Sequence, residues 1–173
     1  MVLARLPENT ETVKSTGMST MTDSPEIETG DTAITVLSVS PSHDDHDALE
    51  RLLNRRKWQI RRASTFSSAV ALLQETQISV VVCERDLGTG TWRDMLAHLT
   101  LLPQPPYLIV TSRLADDHLW AEALNIGAYD VLSKPFDRNE VRRSVSLACL
   151  HWNDQNEAFI QKPKTMSAAA SVV

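Results

Sequence analysis

An unbroken apolar run, Ser79-Val80-Val81-Val82-Cys83, that ends on the charged Glu84-Arg85-Asp86, limits what this chain can fold into more than any other stretch. A strand with β-branched side chains pointing both ways has no solvated face, so both sides must be covered, as in a parallel sheet flanked by helices. In open α/β sheets the working crevice lies beyond the carboxyl ends of the strands. Glu84 is therefore a carboxylate delivered to the place where such a fold does its chemistry.

The neighbouring segments follow the same logic. Ala33 to Val39 is a β-rich run closed by Ser40-Pro41, because a proline cannot extend a central ladder. Trp58 to Ala63 alternates with polar residues and suits an edge strand; Tyr107 to Ser112 and Tyr129 to Ser133 complete the set. Helices are predicted between them. Ser42 and Asp45 form a capping pair for the first, with Asp44, Asp47 and Glu50 early and Arg55, Arg56 and Lys57 in its last turn. Ser64 or Thr65 caps a second carrying Phe66, Val70 and Leu73. Thr91 and Asp94 cap a third that stops ahead of Pro103. A fourth runs from about Ala115 to Asn125 and is ended by Gly127. Asp137 and Glu140 cap a last helix bearing Val141, Val145, Ala148 and Trp152. Five alternations of strand and helix predict an αβα sandwich with right-handed crossovers.

Length and composition bound the rest. The 173 residues fit one domain with tails. Residues 1–31 are rich in Thr, Ser, Glu and Pro and are expected to be a disordered N-terminal segment, with Met18 or Met21 as alternative starts; 32–153 is the folded domain and 154–173 a flexible C-terminal tail, too short for an output module. A net charge of -5, from 22 acidic and 17 basic residues, argues against a nucleic-acid or membrane-surface binder. No run is long and apolar enough for a membrane helix or a secretory signal, and Cys83 and Cys149 stand at unrelated positions, so a cytoplasmic, reduced protein is expected.

Thr111-Ser112 followed by Gly127-Ala128-Tyr129-Asp130-Val131-Leu132-Ser133-Lys134-Pro135-Phe136 closely resembles the receiver domain of two-component response regulators. The resemblance spans roughly residues 33–153 and implies a flavodoxin-like (βα)5 fold, a parallel sheet of order 2-1-3-4-5 with helices on both faces. In that family an Asp ending strand three accepts a phosphoryl group, two acids after strand one hold Mg²⁺, and a Thr or Ser and a Lys contact the phosphoryl. Here Glu84 takes the acceptor position, Ser40 and Pro41 stand where the acidic pair belongs, and Thr111 and Lys134 match the remaining roles. Pro135 is expected to follow a cis peptide. Val131, three residues before Lys134, replaces the family's switch aromatic.

Mg²⁺ demands near-octahedral oxygen ligation anchored by carboxylates, which Ser40 and Pro41 do not supply. The resemblance with these departures implies a degenerate pseudo-receiver: no metal, no cofactor, no enzymatic activity and poor phosphorylation, with Glu84 reaching Lys134 and Thr111 in imitation of a phosphorylated state. A plain solvated ion pair between Glu84 and Lys134 is the bland alternative, as is a structural role alone for Thr111 and Lys134. The implied partners are a histidine kinase or a downstream signalling protein, met on the face of the fourth helix, fifth strand and fifth helix, where a homodimer would also form. Two other readings stand beside this one. Glu84, or Asp86 as a displaced acceptor, would make the chain a phosphorylatable receiver; Arg51, Arg55, Arg56, Lys57, Arg61 and Arg62 around Trp58 would make it a nucleic-acid-binding module, against a charged helix end beside a sheet edge. His43 and His46, one helical turn apart, have metal-ligand chemistry but suit a solvated helix start. Gly88-Thr89-Gly90 is too short for a phosphate cradle, and Trp92, Trp120 and Trp152 suit core or interface anchors.

Overall fold

The structure, a computed structural model, describes residues 34–53 and 57–160. The expectations for residues 1–31, for Arg55 and Arg56, and for 161–173 lie outside the described residues. Ten elements alternate along the chain: β1 Ile34–Val39, α1 His43–Leu52, β2 Trp58–Ala63, α2 Phe66–Glu75, β3 Val80–Glu84, α3 Trp92–Leu99, β4 Tyr107–Ser112, α4 Asp117–Ile126, β5 Asp130–Ser133 and α5 Arg138–Ile160. All strands are parallel in the order β2-β1-β3-β4-β5, so this is the flavodoxin-like receiver architecture.

Alternation along the strands divides the core into two layers. Leu37, Val39, Val81, Cys83, Leu108, Val110 and Val131 pack towards α2, α3 and α4, where Trp92, Met95 and Leu99 are fully enclosed. Val36, Val80, Val82, Ile109 and Leu132 pack towards α1 and α5 through Leu49, Leu53, Val141 and Val145. Each enclosed side chain of this size contributes about 2 kcal/mol of transfer free energy, which explains why the uninterrupted β3 sits mid-sheet and the half-polar β2 at an edge.

Local chemistry terminates the helices as expected at several points. Asp94 accepts hydrogen bonds from the Thr91 amide and hydroxyl, Asp137 accepts from the Asn139 and Glu140 amides, and Gly127 takes the left-handed conformation at φ 117° that a side chain would resist. Thr65, rather than Ser64, caps α2. Three expectations are corrected. α1 ends at Leu52, so Lys57 precedes β2 with its ammonium over the Trp58 ring instead of closing the helix. Ser42 is the N-cap residue of α1, but its side chain makes no cap bond, and Asp45 is engaged elsewhere. α5 continues to Ile160, past the expected boundary at 153, because no Gly or Pro interrupts Trp152 to Ile160 and Trp152 stays buried on its inner face.

Candidate functional site

Strand register assembles the site at the carboxyl edge of the sheet. Glu84 ends β3 directly beside Thr111 of β4, and the Arg85 amide bonds the Thr111 carbonyl at 2.9 Å. The Lys134 amide bonds the Ser112 carbonyl at 3.0 Å, holding the start of the segment after β5 against β4, and the Lys134-Pro135 peptide is cis. From there the Lys134 side chain turns into a cleft of about 350 Å³ lined by Ser40, Asp45, Glu84, Asp86, Ser112 and Arg113, among others.

Inside the cleft one cation is shared. Lys134 Nζ lies 2.5 Å from Asp45 Oδ2 and also bonds Glu84 Oε2. The Ser40 hydroxyl donates to the same Asp45 oxygen at 2.5 Å, and the Thr111 hydroxyl donates to Glu84 Oε2 at 3.3 Å. The result is a continuous polar chain, Ser40–Asp45–Lys134–Glu84–Thr111, drawn from the residue after β1, α1, the segment after β5, β3 and β4. Side-chain exposures of 10% for Lys134, 13% for Asp45 and 16% for Glu84 place these charges in a setting where Coulomb attraction is much less screened than on an open surface.

Asp45 is the cleft residue that the sequence pattern hides. It falls three residues after Ser42 in a run of acids, which is the pattern of a capping pair at a helix start. The signal that points inward is its spacing: Asp45, Leu49 and Leu53 recur every four residues, and the two leucines are buried against the sheet.

The remaining candidates are placed as follows. Pro41 lines the cleft without a polar side-chain group, and Ser40 is spent on Asp45. Asp86 borders the cleft but is exposed, pairs with Arg85 at 3.3 Å and makes a backbone bridge to Thr91. Val131 is fully buried in the layer facing α2, α3 and α4. Arg62 is held by Asp47 at 2.9 Å and Glu50 at 2.6 Å, so part of the basic cluster is neutralised within the fold. Cys83 and Cys149 are free and buried, and burial raises both thiol pKa values, which keeps them protonated at neutral pH.

His46 departs from the solvated reading. It is 1% exposed, its Nδ1 shares a 2.7 Å hydrogen bond with the Ser38 hydroxyl, and its Nε2 has no partner. No group of three or more His, Cys, Asp or Glu among the described residues is placed to hold a metal ion. Burial foremost, then the positive charge of Arg62, lowers the His46 pKa below the ordinary 6.5. The unfolded chain therefore takes up a proton that the folded chain refuses as pH falls through 6.5, and stability declines until the folded pKa is passed, by at most about 1.4 kcal/mol per pH unit. Urea unfolding between pH 7.5 and 5 is expected to show this decline in the parent, and a flatter profile in His46→Leu.

The family model described as "Response regulator receiver domain" matches residues 36–146. Response regulator protein PilR of Pseudomonas aeruginosa is 29% identical over 122 residues, which cover 70% of this chain and 27% of PilR, so the chain spans about a quarter of that relative's length. Among solved structures, the signal receiver domain of an HD domain-containing protein from Pseudomonas fluorescens Pf-5 superposes with a TM-score of 0.66 at 24% identity, covering 72% of this chain and 93% of that one. Chemotaxis response regulator CheY4 of Vibrio cholerae superposes with a TM-score of 0.61 at 16% identity, over 68% of this chain and 99% of that one. At those identities the superpositions speak to the fold alone.

Proposed function

This chain belongs to the response regulator receiver domain family, and from that premise we propose that it is an atypical receiver that works in two-component signalling without being phosphorylated. The observation that carries the proposal is Lys134, whose ammonium is already held by two carboxylates, Asp45 and Glu84. In a phosphorylatable receiver the corresponding lysine meets phosphoryl oxygens and a divalent cation offsets the charge spread over them. Here the donor set does not suit Mg²⁺: Ser40 donates its hydroxyl hydrogen to Asp45, Pro41 has no side-chain ligand, and both carboxylates face an ammonium. Glu84, one methylene longer than Asp, brings its oxygen to Lys134 and Thr111, so the pocket carries a built-in acidic ligand in place of a phosphoryl group. No cofactor and no enzymatic turnover form part of this reading.

Output then depends on contacts with other proteins, such as a histidine kinase or a downstream signalling protein, in the cytoplasm. Trp120 and Leu124, 36% and 43% exposed and one turn apart on α4, and Leu147 of α5 at 43%, leave apolar area on the helices either side of the edge strand β5. That α4-β5-α5 face suits a protein partner or a second copy of this chain. No helix among the described residues is long and apolar enough to cross a membrane.

Incubation with acetyl phosphate and millimolar Mg²⁺, resolved on a phosphate-affinity gel, tests the proposal. No phosphorylated band is expected. A stable band that disappears in Glu84→Ala or Asp86→Ala would establish a phosphorylatable receiver instead.

A further inference from the structure

We infer that Asp45 is a positioning residue through which the ionic state of the pocket is passed to helix α1. The inference deepens the reading above, resting on the Glu84–Lys134 pair, and names a route by which that pair acts on the rest of the molecule.

The first turns of α1 are seated by polar contacts. Ser38 and Ser40, two apart on the chain, both face the helix: Ser38 meets His46 and Ser40 meets Asp45. His43, Asp44 and Asp47 are exposed, the Ser42 side chain makes no cap bond, and apolar anchoring begins only at Leu49. The other end of the helix is fixed differently, since the Arg142 guanidinium of α5 donates to the Leu52 carbonyl at 2.8 Å and Leu53 is buried. α1 thus has an apolar, α5-tethered end and an end whose seat is a hydrogen-bonded and ion-paired seam. The ion pair that ties that seam to the pocket is Asp45–Lys134; one turn on, Asp47 and Glu50 hold Arg62 of β2 and make no contact with the pocket cation.

Lys134 divides its ammonium between Asp45 and Glu84, so what happens to Glu84 changes what Asp45 receives. Neutralising Glu84 leaves Asp45 as the single carboxylate on the cation, and the first turns of α1 are held more firmly. Strengthening Glu84's claim on Lys134 has the reverse effect. Val131 provides no rotating ring between the pocket and α4, whereas the path to α1 consists of two direct contacts. A second cleft, of about 440 Å³ and lined by Asp44, Asp45, Ala48, Arg51, Lys134 and Phe136 among others, lies over this junction and would change shape with it.

Amide hydrogen exchange on the full chain tests the inference with isosteric changes. Asp45→Asn is expected to speed exchange of the Asp47 to Glu50 amides by about tenfold, since opening of that end then meets less resistance. Glu84→Gln, a residue with no hydrogen bond or ion pair to α1, is expected to slow the same amides by about threefold in the parent and to leave them unchanged in the Asp45→Asn background. Unaltered α1 exchange in Glu84→Gln, or equal slowing with and without Asp45, overturns the inference. The acetyl phosphate experiment reads a different quantity: a phosphorylated Glu84 would sink the proposed function without moving α1 exchange in the unmodified protein.

Discussion

Replacing Lys134 by methionine is expected to lower the free energy of unfolding by about 3 kcal/mol at neutral pH, well above the usual cost of an exposed charge substitution. The methionine can fill the space of the aliphatic stem, so the loss is electrostatic. Asp45 and Glu84 are left facing one place without their common counter-ion, with only Ser40 and Thr111 as hydrogen-bond donors. Removing one partner of a buried ion pair costs about 3–5 kcal/mol, and the remaining solvent access of this cleft places the expectation at the lower bound. Adding Glu84→Gln to Lys134→Met removes the like-charge contact and is expected to recover more than half of the loss, a non-additivity that marks direct coupling. Urea titrations of the single and double variants measure both quantities. A loss under about 1 kcal/mol would show that Asp45, Lys134 and Glu84 behave as a solvated surface cluster.

Much of the fold is legible because burial on both faces leaves an unambiguous trace. Val80 to Cys83 and Leu108 to Val110 can only be central strands, and Gly127, Asp137 and Thr91 mark helix ends by chemistry that acts within a few residues. Glu84 is legible from the apolar run that it ends, whereas Thr111 and Lys134 are picked out by the resemblance of Thr111-Ser112 and Lys134-Pro135-Phe136 to a receiver domain, and parallel register then brings the three together. What was hidden depends on three-dimensional competition. Asp45 satisfies two local rules at once, a capping position after Ser42 and an inward stripe with Leu49, and only the presence of Lys134 across the cleft decides between them. The charged neighbours of His46 suggest a solvated ring; Ser38, eight residues earlier, offers the hydroxyl that lets it be buried. The polar residues after Trp152 resemble a tail, yet α5 runs on to Ile160 because nothing among them breaks a helix.

On the proposed reading, rebuilding the pocket restores phosphoryl transfer. A variant combining Ser40→Asp, Pro41→Asp, Glu84→Asp and Asp45→Ala is expected to accept a phosphoryl group from acetyl phosphate in a Mg²⁺-dependent manner, at a yield at least about tenfold above the parent background, because metal and lysine then share the neutralisation of the transferring group. Each change has a separate reason. The two new acids beside β1 supply the carboxylate oxygens that Mg²⁺ requires. Shortening Glu84 withdraws its oxygen from Lys134 and opens room for a phosphoryl group between them. Removing Asp45 releases the ammonium from its other partner. The informative comparison is the triple variant that keeps Asp45: if Asp45 holds Lys134 as the geometry indicates, this protein binds Mg²⁺ yet phosphorylates less than the quadruple variant. Intact-mass measurement with and without EDTA separates these outcomes. Equal phosphorylation of the triple and quadruple variants would mean that Lys134 leaves Asp45 freely, and that Asp45 does not limit phosphoryl transfer.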